Sequence, residues 1–229
     1  MARRGGAGLG KARRGKTRQD KRLRSRKDKT MKIAITTITG KTPYSQSANI
    51  DKLAVPEKPK ESKDAYEQRT WRHRMHVTPD GRVEISPTAL TGCIKSAARR
   101  LQIQVPGKGK TQYTKYFEAG IDVAGPLVLD VKADSVDHDR LFVPSDGRPG
   151  GGKRVWRYFP RIDKWGGEVT WYVLDDIITE PVFTQVLRSA GLLVGLGRFR
   201  PENRGFYGRF AVDAVKWIED GEAALTAAE

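Results

Sequence analysis

The order of segments along this chain predicts an α+β fold of the ferredoxin-like, split βαβ kind. Three observations carry that expectation. An unbroken β-branched run, Met31-Lys-Ile-Ala-Ile-Thr-Thr-Ile-Thr39, opens the part of the chain that can fold. Two amphipathic helices, each opened by a hydroxyl residue and a proline, lie far apart, after Ser86-Pro87 and after Thr179-Glu-Pro181. Strand-like segments fill the positions between and after them. Stripped of insertions the order is strand, helix, strand, strand, helix, strand. A β-hairpin precedes the first helix, a long loop insertion precedes the hairpin, and a projecting arm sits in the middle.

Each element has its own local reason. After the first strand, Gly40 to Lys63 is polar, lysine-rich and broken by Pro43, Pro56 and Pro59, too long for a simple connection. It reads as a functional or partly disordered loop, followed by a short helix around Ala65–Trp71. His76 to Ile85 reads as a hairpin turning at Asp80-Gly81. Leu90, Ile94, Ala97 and Leu101 then recur at helical spacing with Cys93 beside them, while Lys95 and Arg99 line another face. Ile121 to Val131 reads as a strand broken near Gly125-Pro126. The glycine-tipped run Asp146 to Phe159 reads as a projecting hairpin with a basic-aromatic strand, and Glu168 to Leu174 as another strand. In the second helix Val182, Phe183, Val186, Leu187 and Ala190 form the apolar stripe, with Gly191 as its natural stop. The final strand is expected to place Phe206, Gly208, Phe210 and Val212 on one face and Tyr207, Arg209 and Asp213 on the other.

Composition narrows the classes of function. The 229 residues carry a net charge of +16. Residues 1–30 alone hold 13 Lys/Arg against Asp20 and Asp28, leaving 30 Lys/Arg against 25 Asp/Glu in the rest. The first 30 residues therefore read as a disordered basic tail, or as a mis-called start with Met31 the alternative, since almost nothing in them is apolar. Residues 31–218 read as one domain with insertions at 40–75 and 142–165, and 219–229 as an acidic flexible tail. One cysteine excludes an internal disulfide and suits a reducing, cytoplasmic compartment; no apolar run is long enough to span a membrane.

The segment Val194-Gly-Leu-Gly-Arg-Phe-Arg-Pro-Glu-Asn-Arg-Gly-Phe-Tyr-Gly-Arg-Phe210 interleaves glycines, arginines and aromatics. Glycine admits close approach of backbone to a polyanion, arginine forks onto phosphates, and aromatic faces stack on unpaired bases. The plain alternative is a glycine-rich turn into an edge strand with solvated arginines. Arg204-Gly-Phe-Tyr-Gly-Arg-Phe210 comes near the aromatic strand signature of RNA-recognition motifs, although Tyr207 stands where a small residue is expected. The arm repeats the chemistry in Arg148, Lys153, Arg154, Trp156 and Arg157. Two such segments point to single-stranded nucleic acid, held by Lys95 and Arg99 on the first helix, by Arg198, Arg200, Arg204, Tyr207 and Arg209 at the loop, and by the arm.

Catalytic signatures are thin. The two Gly-Lys-Thr tripeptides lack the earlier glycine of a phosphate-binding loop, and Gly195-Leu-Gly197 lacks the third glycine of a dinucleotide fold. No spacing of His, Cys and carboxylates completes a metal site, and no cofactor is implied. His76 as a general base, and Asp51 and Asp64 as metal-holding carboxylates, are the weak catalytic candidates.

Ile85-Ser-Pro-Thr-Ala-Leu-Thr-Gly-Cys-Ile-Lys-Ser-Ala-Ala-Arg99 resembles the proline-led first helix of the RAMP superfamily, and Val194 to Phe210 resembles its C-terminal glycine-rich loop. The best-known members are subunits of CRISPR effector complexes. The chain is most similar to the backbone subunits that line up along a guide RNA, with a modified RNA-recognition fold and a projecting thumb. The resemblance follows element order over 31–218, with motif support at about 85–101 and 194–212. It implies a non-catalytic protein assembling in several copies along RNA, possible contacts to other effector subunits, a thumb at 142–161 and a palm insertion at 40–63. Pro201-Glu202-Asn203 lengthens the loop relative to the family, and the basic tail is not a family feature. A phage-type protein that binds or anneals single-stranded DNA, and a RAMP-type endoribonuclease, are the alternatives.

Overall fold

A computed structural model describes residues 31–51, 53–145 and 152–220. Its elements begin with β1 (Lys32–Gly40), α1 (Lys63–Thr70), β2 (Arg82–Ile85), α2 (Pro87–Leu101), α3 (Thr114–Gly120) and β3 (Ile121–Val123). They continue with β4 (Leu127–Lys132), β5 (Asp137–Pro144), β6 (Arg154–Arg161), β7 (Gly166–Val173), α4 (Glu180–Ser189) and β8 (Phe210–Ile218). The fold is mixed α+β with antiparallel sheets, consistent with the ferredoxin-like expectation.

The main sheet has the order β3-β7-β1-β8. The β-branched β1 sits inside it, paired antiparallel to β7 from Lys32↔Val173 to Thr39↔Gly166 and to β8 from Ile33↔Ile218 to Gly40↔Phe210. One face meets two helices. Ala34 and Ile38 of β1 and Val169, Trp171 and Val173 of β7 join Leu90, Ile94 and Ala97 of α2 and Phe183, Val186 and Leu187 of α4 in the buried core. Burying such aliphatic and aromatic side chains supplies about 1.5–3 kcal/mol each relative to exposure. Two polar groups buried there satisfy each other: Trp171 Nε1 donates to Thr36 Oγ1 at 2.8 Å, and that hydroxyl donates to Val169 O at 3.3 Å. Ser86 caps α2 through a hydrogen bond from Ala89 N, with Pro87 in the first turn, and left-handed Gln102 ends it. Cys93 is core; burial pushes its thiol up to about 12, which leaves it inert at neutral pH.

A second, two-stranded sheet pairs β2 with β4, and a third pairs β5 with β6 along Asp137↔Arg161 to Pro144↔Arg154. The latter is the projecting arm. The first part of the proline-rich insertion, residues 44–48, packs against the body instead of looping free. Tyr44 is 2% exposed, Ser45 and Gln46 are buried with it, and Tyr44 exchanges backbone hydrogen bonds with Ile162 at 2.8 and 2.9 Å, laying the segment across the arm's root.

The structure refines the sequence reading in four further places. The break expected near Gly125-Pro126 is there, and it separates β3 and β4 into two different sheets. The expected hairpin 76–85 is present but short: Thr78 N donates to Arg82 O at 2.9 Å and Glu84 N to His76 O at 3.0 Å around the Gly81 turn, with the bridge Val77↔Val83, and the other edge of β2 pairs with β4. Gly191 does not stop α4: the chain continues through a π-turn, Ala190–Val194, to Gly195, and a Cβ at Gly191 would strike the Phe210 carbonyl. The last strand begins only at Phe210, so Phe206 and Phe210 share no face; Phe206 is 61% exposed and Phe210 6%. Residues 1–30, the arm's tip with Arg148, and residues 221–229 lie outside the described residues.

Candidate nucleic-acid interface

The glycine-rich segment folds back on itself rather than extending. Gly195, Gly197 and Gly208 have φ near +75°, and Phe199 and Arg204 are also left-handed. Leu196 N donates to Gly208 O at 2.9 Å, Tyr207 N to Phe199 O at 3.0 Å, and Gly208 N to Pro43 O at 2.8 Å. A side chain at Gly197 would run into Ser45 O and the Tyr44 ring, so only glycine lets the loop lie this close to segment 44–47. Arg198 N then donates to Ser45 O at 2.7 Å.

This packing opens a cleft of about 420 Å³ between α2, the loop and segment 44–47. Its α2 wall carries Thr88, Gly92, Ser96 and Arg99; its loop wall carries Gly195, Gly197, Arg198, Arg200 and Glu202; Tyr44, Gln46 and Ser47 close it, with exposed His76 at the rim. Several of its polar atoms have no protein partner. Both ends of the Gln46 carboxamide and Arg198 Nε are buried without one. Buried polar groups are nearly always paired, so these atoms are open to water or to a ligand in the cleft.

Arg198 stands at the centre. Its guanidinium lies 3.7 Å from the Phe159 ring centroid and 4.6 Å from that of Phe199. Burial, with the like charges of Arg74 and Arg157 adding, pushes it down to about 10 against the partial relief of Glu67. Glu67 itself is already shared: Arg74 Nη2 donates to it at 2.6 Å and Arg157 Nη1 at 3.1 Å. Three arginines therefore converge on one carboxylate, an excess of positive charge between the cleft and the arm.

Beyond Arg157 a second cavity, of about 300 Å³, is lined by Tyr66, Glu67, Arg74, Trp156 and Arg157. On the arm the cross-strand pair Phe142 and Trp156 packs with ring centroids 5.1 Å apart. Arg140 lies 4.3 Å over Trp156 and Arg154 lies 5.5 Å over Phe142. The two rings are 47% and 44% exposed, leaving apolar faces on a cationic ladder.

The sequence-selected residues thus fall into three groups. Arg99, Arg198 and Arg200 meet at the cleft, and Trp156 and Arg157 at the second cavity, with Arg154 and exposed Lys153 further out on the arm. Lys95, Arg204, Tyr207 and Arg209 line neither cavity. Arg209 turns to Leu192 O and Phe206 O at 3.4 and 3.5 Å, Arg204 is exposed, and Tyr207 donates to Asp139 Oδ2 at 2.6 Å. That hydroxyl, pushed up to about 12 by burial and by Asp139, ties the loop to the arm. The reading of Tyr207 as a stacking ring on a sheet has no strand to stand on, because the chain is still looping there.

The weak catalytic candidates do not converge. Asp51 accepts a turn hydrogen bond from Leu53 N at 2.9 Å, Asp64 pairs with Arg140 at 3.1 Å, and His76 is at the cleft rim. Among the described residues no group of three or more His, Cys, Asp and Glu could hold a metal ion, and no helix is long and apolar enough to cross a membrane. Sequence reading did not single out Gln46, Glu67, Arg140 and Phe142, which the fold places beside the cleft, the second cavity and the arm's aromatic pair. Of these only Phe142 had a signal, since extending the arm's alternation back across its turn places an aromatic opposite Trp156.

The class defined by these features is a mixed α+β protein with a basic, partly unsatisfied cleft and a cationic aromatic arm. No protein-family model matches the chain and no curated protein matches it. Among solved structures it is similar to a chain of the type III-B Cmr-beta, solved by cryo-EM bound to cognate target RNA, at 11% identity and a TM-score of 0.46. That match covers 88% of this chain and 66% of the other, so this chain spans just under two thirds of that protein's length. It is also similar to Cmr6 from Pyrococcus furiosus, at 12% identity and a TM-score of 0.44, over 80% of this chain and 99% of that one.

Proposed function

We propose that this chain is a non-catalytic, RAMP-type binder of single-stranded nucleic acid, RNA in preference to DNA, that assembles in several copies along the strand. The observation that carries this reading is the continuous basic path from Arg99, Arg198 and Arg200 in the cleft, through Arg74 and Arg157, to the half-exposed Phe142–Trp156 pair on the arm. Cations spaced along a groove suit a phosphodiester backbone, and open aromatic faces suit unpaired bases rather than a duplex. The sheet order β3-β7-β1-β8, with α2 following β1 and α4 following β7, supports a split βαβ core within residues 31–218. On this reading β5 and β6 are the thumb, and the first 30 residues add a sequence-independent polyanion affinity.

The test is equilibrium binding of labelled RNA and DNA single strands of one sequence, each competed by the other, with and without a chelator. The reading expects salt-dependent binding of both, tighter for RNA through the 2′-hydroxyl, several protein copies per long strand and no cleavage. Absence of binding at low salt would overturn it; DNA preference would shift it to the phage-type alternative, and chelator-sensitive cutting to the nuclease.

A further inference from the structure

The cleft already holds an anion, and it belongs to the chain itself. Glu202, in the turn Pro201–Asn203 that lengthens the glycine-rich loop, points its carboxylate into the place where the cleft's two walls approach each other. Arg200 grips it through Nε and Nη2, both on Oε2, at 2.9 and 2.8 Å. Ser96 and Arg99 stand across the same cleft from Glu202, close enough to help hold its carboxyl below the ordinary range. Arg99 Nη2 also donates to Ser96 Oγ at 3.3 Å, so the α2 side is organised around the hydroxyl.

Such a setting is what an oxyanion needs: a guanidinium fork, a hydroxyl donor and a second cation, drawn from two elements. A solvated surface pair would need only Arg200, two residues from Glu202; here the far wall takes part. Glu202 is 29% exposed on its side chain and Arg200 35%, so neither is a freely solvated surface charge. Beside them the unpartnered Gln46 carboxamide and Arg198 Nε show that the same cleft has polar capacity the chain leaves unused.

We propose that Arg200, Ser96 and Arg99 form a seat for a single phosphate group of a polynucleotide, and that Glu202 occupies it in the free protein and must be displaced when the strand binds. The inference rests on the nucleic-acid reading above and adds to it an internal competitor. The carboxylate keeps Arg200 aligned while the cleft is empty, screens the cleft from small anions, and raises the threshold for any ligand too short to bring neighbouring phosphates to Arg198 and Arg157.

Removing the competitor tests this. Full-length Glu202→Ala is compared with wild type for binding a labelled 20-nucleotide RNA single strand, over a series of salt concentrations. The seat predicts about five- to twentyfold tighter binding and a salt slope steeper by up to about 0.7, because in wild type the freed carboxylate offsets the one counterion the seated phosphate releases. Adding Arg200→Ala to Glu202→Ala should abolish the gain, and Glu202→Gln should reproduce most of it while keeping the turn's shape. Where wild type binds, a Glu202→Ala protein that is folded by circular dichroism and binds no tighter, with unchanged slope, overturns the seat. Loss of wild-type binding overturns the nucleic-acid reading instead. A gain that persists without Arg200 also contradicts the seat, since it would reflect only one fewer negative charge.

Discussion

Burying a guanidinium without a carboxylate of its own costs stability unless something else meets the charge. At Arg198 the faces of Phe159 and Phe199 meet part of it, and Nε remains without a partner. Arg198→Met keeps the contact with both rings and removes the charge. It should leave stability unchanged or raise it by about 1–2 kcal/mol, read by urea denaturation, while weakening single-strand binding about tenfold. A purely structural arginine would give the opposite pair of results. Gly197 sets the neighbouring constraint. Gly197→Ala forces a Cβ into Ser45 O and the Tyr44 ring at φ +75°, and should cost about 2–4 kcal/mol in the same experiment. The sequence singled out arginines and aromatics but could not say which of them share a cleft. Arg198 and Arg200 reach the cleft while Arg204 and Arg209 do not, and that depends on left-handed turns at Phe199 and Arg204 that no propensity announces. Gln46 was invisible: a polar residue in a lysine- and proline-rich stretch carries no sign that it will be buried.

The elements were more legible than their ends. Helix α2 was readable from Ser86 to Leu101 because its cap, its proline and its apolar spacing agree. Strand β1 was readable because β-branched residues fill it. The arm's second strand was seen through its basic-aromatic alternation, but β5 was not. Asp137-His-Asp-Arg-Leu-Phe-Val-Pro144 mixes charge into both faces, and its partner lies across a turn that sequence alone does not close. The arm nonetheless yields a sharp expectation. Phe142 and Trp156 are half-exposed rings whose loss leaves the core untouched, so Trp156→Ala should weaken binding of an unpaired strand by about 1–3 kcal/mol and barely shift the unfolding midpoint. The loop has an acid signature as well. Burial would raise the Glu202 carboxyl, but hydrogen bonds from Arg200 and Ser96 outweigh it and hold it below its ordinary 4.5. A depressed carboxyl contributes stability above its ordinary value and loses that contribution as pH falls through the folded one. The wild-type advantage over Glu202→Gln should therefore shrink as pH drops below about 4.5, measured by thermal melts.

Across the whole molecule, the loop and the arm, far apart in sequence, act as one surface. Tyr207 bonds to Asp139 at 2.6 Å, Arg198 sits on Phe159 of β6, and Arg157 shares Glu67 with Arg74. Segment 41–48, bridged to Ile162 and bonded to Arg74 O, is the wedge that holds them in register. None of these long-range links could be read from a single sequence, because each joins residues that only the sheet order brings together. What could be read was that two basic-aromatic segments exist and that an α+β core could carry them. If Arg99, Arg198 and Arg200 hold phosphates together, the salt dependence of single-strand binding depends on all three. Full-length protein and the Arg99→Ala/Arg198→Ala/Arg200→Ala variant are titrated with one labelled RNA strand at a series of salt concentrations. The account predicts about a hundredfold weaker binding for the variant and a log–log slope shallower by about 2, the share of three phosphates. Equal affinities and parallel slopes would place the contacts elsewhere and contradict it.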